Sequence, residues 1–133
     1  MVHKHVMEAI DDVNLRLLAV WGPMLGPEQR PDAEAATALL PDPRVAHFWS
    51  AGHEIAEILR PAAGLPAGER AWDTYQLYAA GVRWGEAPPA PDFVMHVDKR
   101  LPDDRRLDGA VLAEHIRALL AARPAPPPTP SEP

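Results

Sequence analysis

The sequence predicts one α/β domain, and three observations support this class. Residues 15–21 form a nearly continuous apolar run that stops at Gly22-Pro23, which is typical of a parallel strand covered by helices on both faces. Segments with helical spacing alternate with segments rich in β-forming residues, as in layered α/β proteins. The chain has 133 residues, of which 47% are hydrophobic, so it can form one domain with an ordinary core.

The predicted elements follow the order helix, strand, helix, strand, helix, strand, strand, helix. The apolar stripe that includes Val2, Val6, Ile10 and Val13 predicts the first helix over residues 2–13. The same reasoning predicts helices over 32–40 (capped by Asp32), 52–59 (ended by Pro61) and 108–122, and strands over 15–21, 44–49, 71–80 and 93–97. The last two strands are joined by a connection too short for a helical crossover, so we expect them to pair antiparallel.

The final helix has the clearest signals in the chain. Asp108 is the expected N-cap, and Leu112, Ile116 and Leu119 are the expected core anchors. The following residues are dense in proline, so we predict a domain over 1–122 and a disordered Pro-rich tail over 123–133, with 124–133 dispensable for stability.

Composition excludes several classes of function. The formal net charge is -6 and the basic residues are scattered, which argues against nucleic-acid binding. There is no cysteine, so disulfides, thiolate metal sites and thiol catalysis by this chain are excluded. No apolar stretch is long enough for a membrane span or a signal peptide. We therefore expect a cytoplasmic protein that binds neither nucleic acid nor membranes.

Four segments resemble a family of bacterial thioredoxin-like proteins, and the likeness extends over residues 2–121. They are 20–25 (VWGPML), 42–49 (DPRVAHFW), 71–78 (AWDTYQLY) and 91–97 (PDFVMHV). The resemblance implies a three-layer thioredoxin-like sandwich that is incomplete at its N-terminus, because the strand and the Cys-x-x-Cys turn expected before the first helix are missing. Glu69-Arg70-Ala71 stands where the family has a cis-proline. No thiol redox activity is therefore expected from this chain alone.

The missing strand has a physical consequence. In the family's sheet it lies between the strands matched by 15–21 and 71–79, so its absence leaves a gap of about 9–10 Å, two inter-strand spacings. Either the true protein starts further upstream, or the two strands pair directly, or a partner supplies a strand. Exposed edges favour self-association or aggregation.

Histidine and carboxylate side chains provide the candidate metal ligands. His53 and Glu57 are four residues apart on a predicted helix, a spacing that suits a shared metal ion or an ion pair. His3 and His5 diverge on a helix and chelate only if that segment is extended. The simpler interpretation of both pairs is a solvated helix face.

The remaining candidates have structural interpretations as well. His47 and His96 on predicted strands are expected to be hydrogen-bonded packing residues, and Asp103-Asp104-Arg105-Arg106 a solvated loop. Ser50 lies near histidines but lacks a third catalytic partner. Four tryptophans form either core or a ligand pocket: Trp21, Trp49, Trp72 and Trp84.

Three functions remain open, and none has a nominated catalytic residue or cofactor. The first is a non-catalytic binding or scaffold module whose partner is an unknown protein or a second copy of the chain, joined through exposed strand edges. The second is the C-terminal part of a thiol-disulfide oxidoreductase whose cysteines lie upstream. The third is a small metal-binding protein that uses His53 and Glu57.

Overall fold

The computed structural model describes residues 2–22, 34, 35, 37–71 and 73–123, and it is a mixed α/β fold with two small sheets. The strands and the first, third and last helices occur in the predicted order, and the helix predicted over 32–40 is described only in part, with a 3-10 turn over residues 37–39. These elements are a π-helical N-terminal segment (His3–Met7), β1 (Leu17–Trp21), a 3-10 turn (Thr37–Leu39), β2 (Val45–Trp49), α1 (Glu54–Ala63), β3 (Thr74–Leu77), β4 (Phe93–His96), a second 3-10 turn (Asp103–Arg105) and α2 (Gly109–Ala121).

Each sheet contains two strands. β1 and β2 are parallel, in a register that runs from Leu17 opposite Val45 to Trp21 opposite Trp49. β3 and β4 are antiparallel, as predicted, with Thr74 opposite His96. Within the described residues no strand ladder joins the two sheets, so direct pairing of the strands predicted over 15–21 and 71–79 does not occur there.

The main hydrophobic core connects both sheets to the N-terminal segment and to α2. Its buried members come from the N-terminal segment and the turn after it, from β4 and from α2: Val6, Met7, Ile10, Met95, Leu112, Ala113 and Ile116. Leu17 of β1, Val45 of β2 and Leu77 of β3 pack against this cluster. The N-terminal segment lies so close to α2 that a Cβ on Gly109 would stand 2.8 Å from the Cβ of His5. Glycine at this position therefore permits the helix contact.

The guanidinium of Arg44 joins the N-terminal segment to β2. It donates hydrogen bonds to the carbonyl oxygens of Met7, Ile10 and Asp12, and to both carboxylate oxygens of Asp42. Only 15% of either side chain is exposed. These hydrogen bonds from Arg44 lower the pKa of Asp42 from 3.8 to about 2. The fork geometry of arginine is what allows one side chain to serve so many acceptors.

Two predicted helices have different boundaries. The first, expected over 2–13, leaves helical geometry after its π-turn, and Val13 is 74% exposed. Arg44 satisfies carbonyls that a longer helix would have bonded internally. The helix expected to stop before Pro61 instead continues to Ala63, and Gly64, at φ 81°, ends it in the left-handed conformation.

Most of what the sequence predicts for the last helix is confirmed in α2. The Asp108 carboxylate accepts hydrogen bonds from the backbone N–H groups of Ala110 and Val111. Leu112 and Ile116 are buried in the core. Leu119, however, is only half-buried and does not belong to that core, whereas Leu120 packs against it. Leu120 also belongs to the predicted apolar stripe, so the part of the prediction that is wrong is the choice of Leu119 as a core anchor.

Two regions limit the comparison with the sequence. The predicted strand over 71–80 is shorter, since only Thr74–Leu77 pair and Asp73 has a φ of 49°, outside strand geometry. The predicted Asp32 cap and the predicted tail, apart from residue 123, lie outside the described residues. No helix in the described part of the chain is long and apolar enough to cross a membrane.

Replacing Ile116 by Ala is expected to lower the free energy of unfolding by about 2–5 kcal/mol, because a buried methyl-rich side chain is lost from the core. Replacing Leu119 by Ala should have a clearly smaller effect. Urea denaturation of both variants tests this, and equal losses would mean that Leu119 is also a core anchor.

Arg44→Lys is expected to lower the melting temperature by about 4–8 °C, since one ammonium cannot serve three carbonyls and a carboxylate. Arg16→Lys is the matched control, because Arg16 is exposed and, among the described residues, bonds the nearby carbonyls of Val13 and Leu15. Equal melting temperatures for the two variants would contradict the role of Arg44.

The stabilisation from Asp42 should depend on pH in a defined direction. Because the pKa of Asp42 is lower when folded, its contribution is complete above the ordinary value of 3.8 and disappears as the pH falls through about 2. The difference in stability between the wild type and Asp42→Asn should therefore be constant from neutral pH to about pH 5 and shrink below that. Melting curves across this range measure it, and a difference that persists unchanged at pH 2 would refute the assignment.

Candidate interaction surface

The outer face of the β1–β2 sheet is apolar and open to solvent. Exposure alternates along both strands: Leu18 is 64% exposed, Val20 43% and Phe48 52%, whereas the residues between them are half-buried, and Leu17 and Val45 pack against the core. Leu18 stands opposite Ala46, and Val20 opposite Phe48, so the four side chains are contiguous. We call this set the apolar sheet face. The prediction that residues 15–21 are covered on both faces is therefore wrong.

The edge of β1 that faces away from β2 has unpaired backbone groups. The N–H of Leu17 donates to the carbonyl of Arg44, and the N–H of Ser50 donates to the carbonyl of Trp21. In a parallel ladder these two bonds place residues 17, 19 and 21 of β1 toward β2. The N–H and C=O groups of Leu18 and Val20 consequently point outward, and none of the described residues pairs with them.

The carboxyl end of the same sheet contains a tryptophan–histidine pair. The Trp21 Nε1–H donates to Nδ1 of His47 at 3.0 Å, and the two rings are stacked with centroids 6.1 Å apart. This bond places the proton of a neutral His47 ring on Nε2. His47 thus has the packing role that the sequence predicts. Ser50 contributes its backbone amide to the β1–β2 ladder.

The proposed metal ligands have separate surroundings. The Glu57 carboxylate lies 3.9 Å from Nε of Arg70, and His53 stands just before α1 with its Nδ1 buried and without a hydrogen-bond partner among the described residues. His3 pairs with Glu8 at 3.2 Å. The described residues contain no group of three side chains able to hold a metal ion. Metal binding by His53 and Glu57 stays a prediction.

His96 is a buried structural residue, 1% exposed. Its Nδ1 accepts a hydrogen bond from the backbone N–H of Asp98, and its Nε2–H donates to the carbonyl of Pro102 at 2.8 Å. The Asp98 carboxylate is also buried, and hydrogen bonds from Arg100 lower its pKa to about 2. Arg100 in turn contacts Glu69. These contacts connect the end of β4 to the loop before β3.

The tryptophans whose side chains the structure describes do not line one pocket. Trp21 and Trp49 are register partners on the first sheet, whereas Trp84 lies edge-on to Tyr78, with ring centroids 5.5 Å apart. The side chain of Trp72 is outside the described residues.

Two features were not foreseen from the sequence. The ring of Phe93 stacks on His115 of α2 at 3.6 Å and also lies under the guanidinium of Arg105 at 4.5 Å, although residues 103–106 were expected to form only a solvated loop. The apolar sheet face was missed because an all-apolar strand sequence carries no alternation to show which side is exposed.

Comparison with protein-family models, with curated proteins and with solved structures finds no match for this chain.

His96→Leu is expected to lower the free energy of unfolding by about 2–4 kcal/mol, because it leaves the Asp98 N–H and the Pro102 carbonyl without their partner. His115→Leu, at an exposed position, is the control and should have a smaller effect. Urea denaturation measures both. A loss for His96→Leu no larger than for the control would show that these hydrogen bonds are replaced.

Proposed function

We propose that this chain is a non-enzymatic protein-interaction module that binds a partner polypeptide through the apolar sheet face. The observation that carries the proposal is the exposure of Leu18, Val20 and Phe48 as one contiguous patch on a regular sheet. Scattered apolar side chains are normal on a surface, but contiguous ones mark binding sites.

The surroundings of the patch support binding rather than catalysis. Its four side chains carry no charge and no nucleophile. On the opposite side of the same sheet, Nδ1 of His47 is already engaged by Trp21; in the other sheet, His96 at the end of β4 has both ring nitrogens hydrogen-bonded. Neither histidine is left poised as a general base.

We also propose that the architecture is a thioredoxin-like sandwich whose sheet is divided. Parallel β1 and β2, antiparallel β3 and β4 and the terminal α2 support this kinship, as does the shared core on one side of both sheets. A cytoplasmic location is part of the proposal. The ion pair between Glu57 and Arg70 does not favour the metal-binding alternative, and no described observation favours the oxidoreductase alternative.

The test uses linear twelve-residue peptides selected from a displayed random library on the wild-type protein, with affinities measured by calorimetry. Leu18→Gln and Val20→Thr should each weaken binding of the selected peptides about tenfold, a difference of ~1.4 kcal/mol. The chain offers matched controls elsewhere: Leu39 is 68% exposed and Val82 is 43% exposed. Leu39→Gln and Val82→Thr should leave affinity unchanged.

Selection of peptides that bind all four variants equally well, or failure to select any binding peptide, would overturn the proposal. Thermal melting of each variant verifies that the fold is retained, so that a change in affinity reports on the surface.

A further inference from the structure

We infer that the partner binds as an extended strand that adds to the outward edge of β1. This inference deepens the proposed function and rests on it. The site is the row formed by the N–H and C=O groups of Leu18 and Val20, which no described residue satisfies. Unpaired groups in this alternating pattern match the main chain of another strand and do not match a helix, whose backbone groups bond internally.

The size of the surface favours a strand over a rigid second copy of this chain. Two strands of five residues cover roughly 160 Å², taking ~3.3 Å per residue and ~4.8 Å per strand. A stable protein dimer buries about 800 Å² on each partner. A face of this size is too small for two folded domains to hold together, whereas an added strand gains main-chain hydrogen bonds as well.

The chemistry of the occupant follows from the face beside that edge. An added strand places every second side chain next to Leu18 and Val20, on the side where Ala46 and Phe48 lie. These neighbours are apolar and uncharged, so the occupant is a segment of about five residues with apolar side chains at alternate positions. Its other side chains lie on the side of the sheet on which Leu17 packs against the core.

Backbone methylation of the peptides selected above tests the mode of binding. In a strand, alternate N–H groups point toward β1, so N-methylation at alternate positions should reduce affinity more than tenfold, while methylation at the intervening positions should be tolerated. Loss at every position would indicate a helical ligand and would overturn the inference.

Hydrogen exchange supplies a readout on the protein itself. The amides of Leu18 and Val20 should exchange faster than that of Leu17 in the free protein, because Leu17 donates to Arg44. Saturating peptide should slow the hydrogen exchange of the Leu18 and Val20 amides and leave the exchange rate of the Leu17 amide unchanged. Peptide that binds, and is weakened by Leu18→Gln, but leaves these amides unprotected would overturn strand addition while the proposed interaction module stands.

A variant of the edge completes the test. Val20→Pro removes an N–H that the β1–β2 ladder does not use, so the sheet should persist while peptide affinity falls more than tenfold. Val20→Thr keeps that N–H, so its peptide affinity should fall less than that of Val20→Pro. Unchanged affinity in Val20→Pro would count against the inference. Protection of Leu18 and Val20 that rises with protein concentration without peptide would also overturn it, since a second copy would then be the occupant.

Discussion

The hydrogen bonds of Arg44 hold the N-terminal segment and the turn after it against the start of β2. The N-terminal segment ends early, and without Arg44 the carbonyls of Met7 and of Ile10 in the turn after it would lack these partners. A buried carbonyl without a partner destabilises a protein by about 1–3 kcal/mol. Arg44 donates to these carbonyls and so removes this penalty. Because Arg44 directly precedes β2, the same hydrogen bonds attach the start of β2 to the N-terminal segment. Asp42 holds the guanidinium in place, so the N-terminal segment, the turn after it and the first sheet form one unit.

The core then depends on this unit. Val6, Met7 and Ile10 are positioned where Met95 and the buried face of α2 meet them. Both sheets rest on the same helical layer, yet no ladder joins them within the described residues. The two sheets are therefore held together by side-chain packing, which is not directional, and not by main-chain hydrogen bonds. Strand edges are left unpaired as a result, and the binding proposals depend on this feature.

The sequence predicted individual elements well where the local signal was complete. Asp108 carries a cap that acts through its own neighbouring amides, and β4 is short and rich in β-forming residues. The end of the first helix was mispredicted because a distant group, Arg44, bonds its carbonyls. The end of α1 was mispredicted because the helix continues through Pro61, and the local signal that stops it is Gly64 in the left-handed conformation. Of the candidate site residues, His47 and His96 have the packing roles expected of them, since strand position predicts burial.

By itself, the sequence determined the α/β class, the order of the four strands, the antiparallel pairing of β3 with β4 and the exclusion of thiol chemistry. Each follows from local spacing, connection length or composition, which require no knowledge of distant contacts. Only the tertiary structure decided which face of β1 is open. The residues of β1 are all apolar, so either face is equally suited to a core. Leu17 packs against the core, and Ala19 and Trp21 share its half-buried side of the strand, whereas Leu18 and Val20 lie on the exposed side, because burial is decided by what packs on each side.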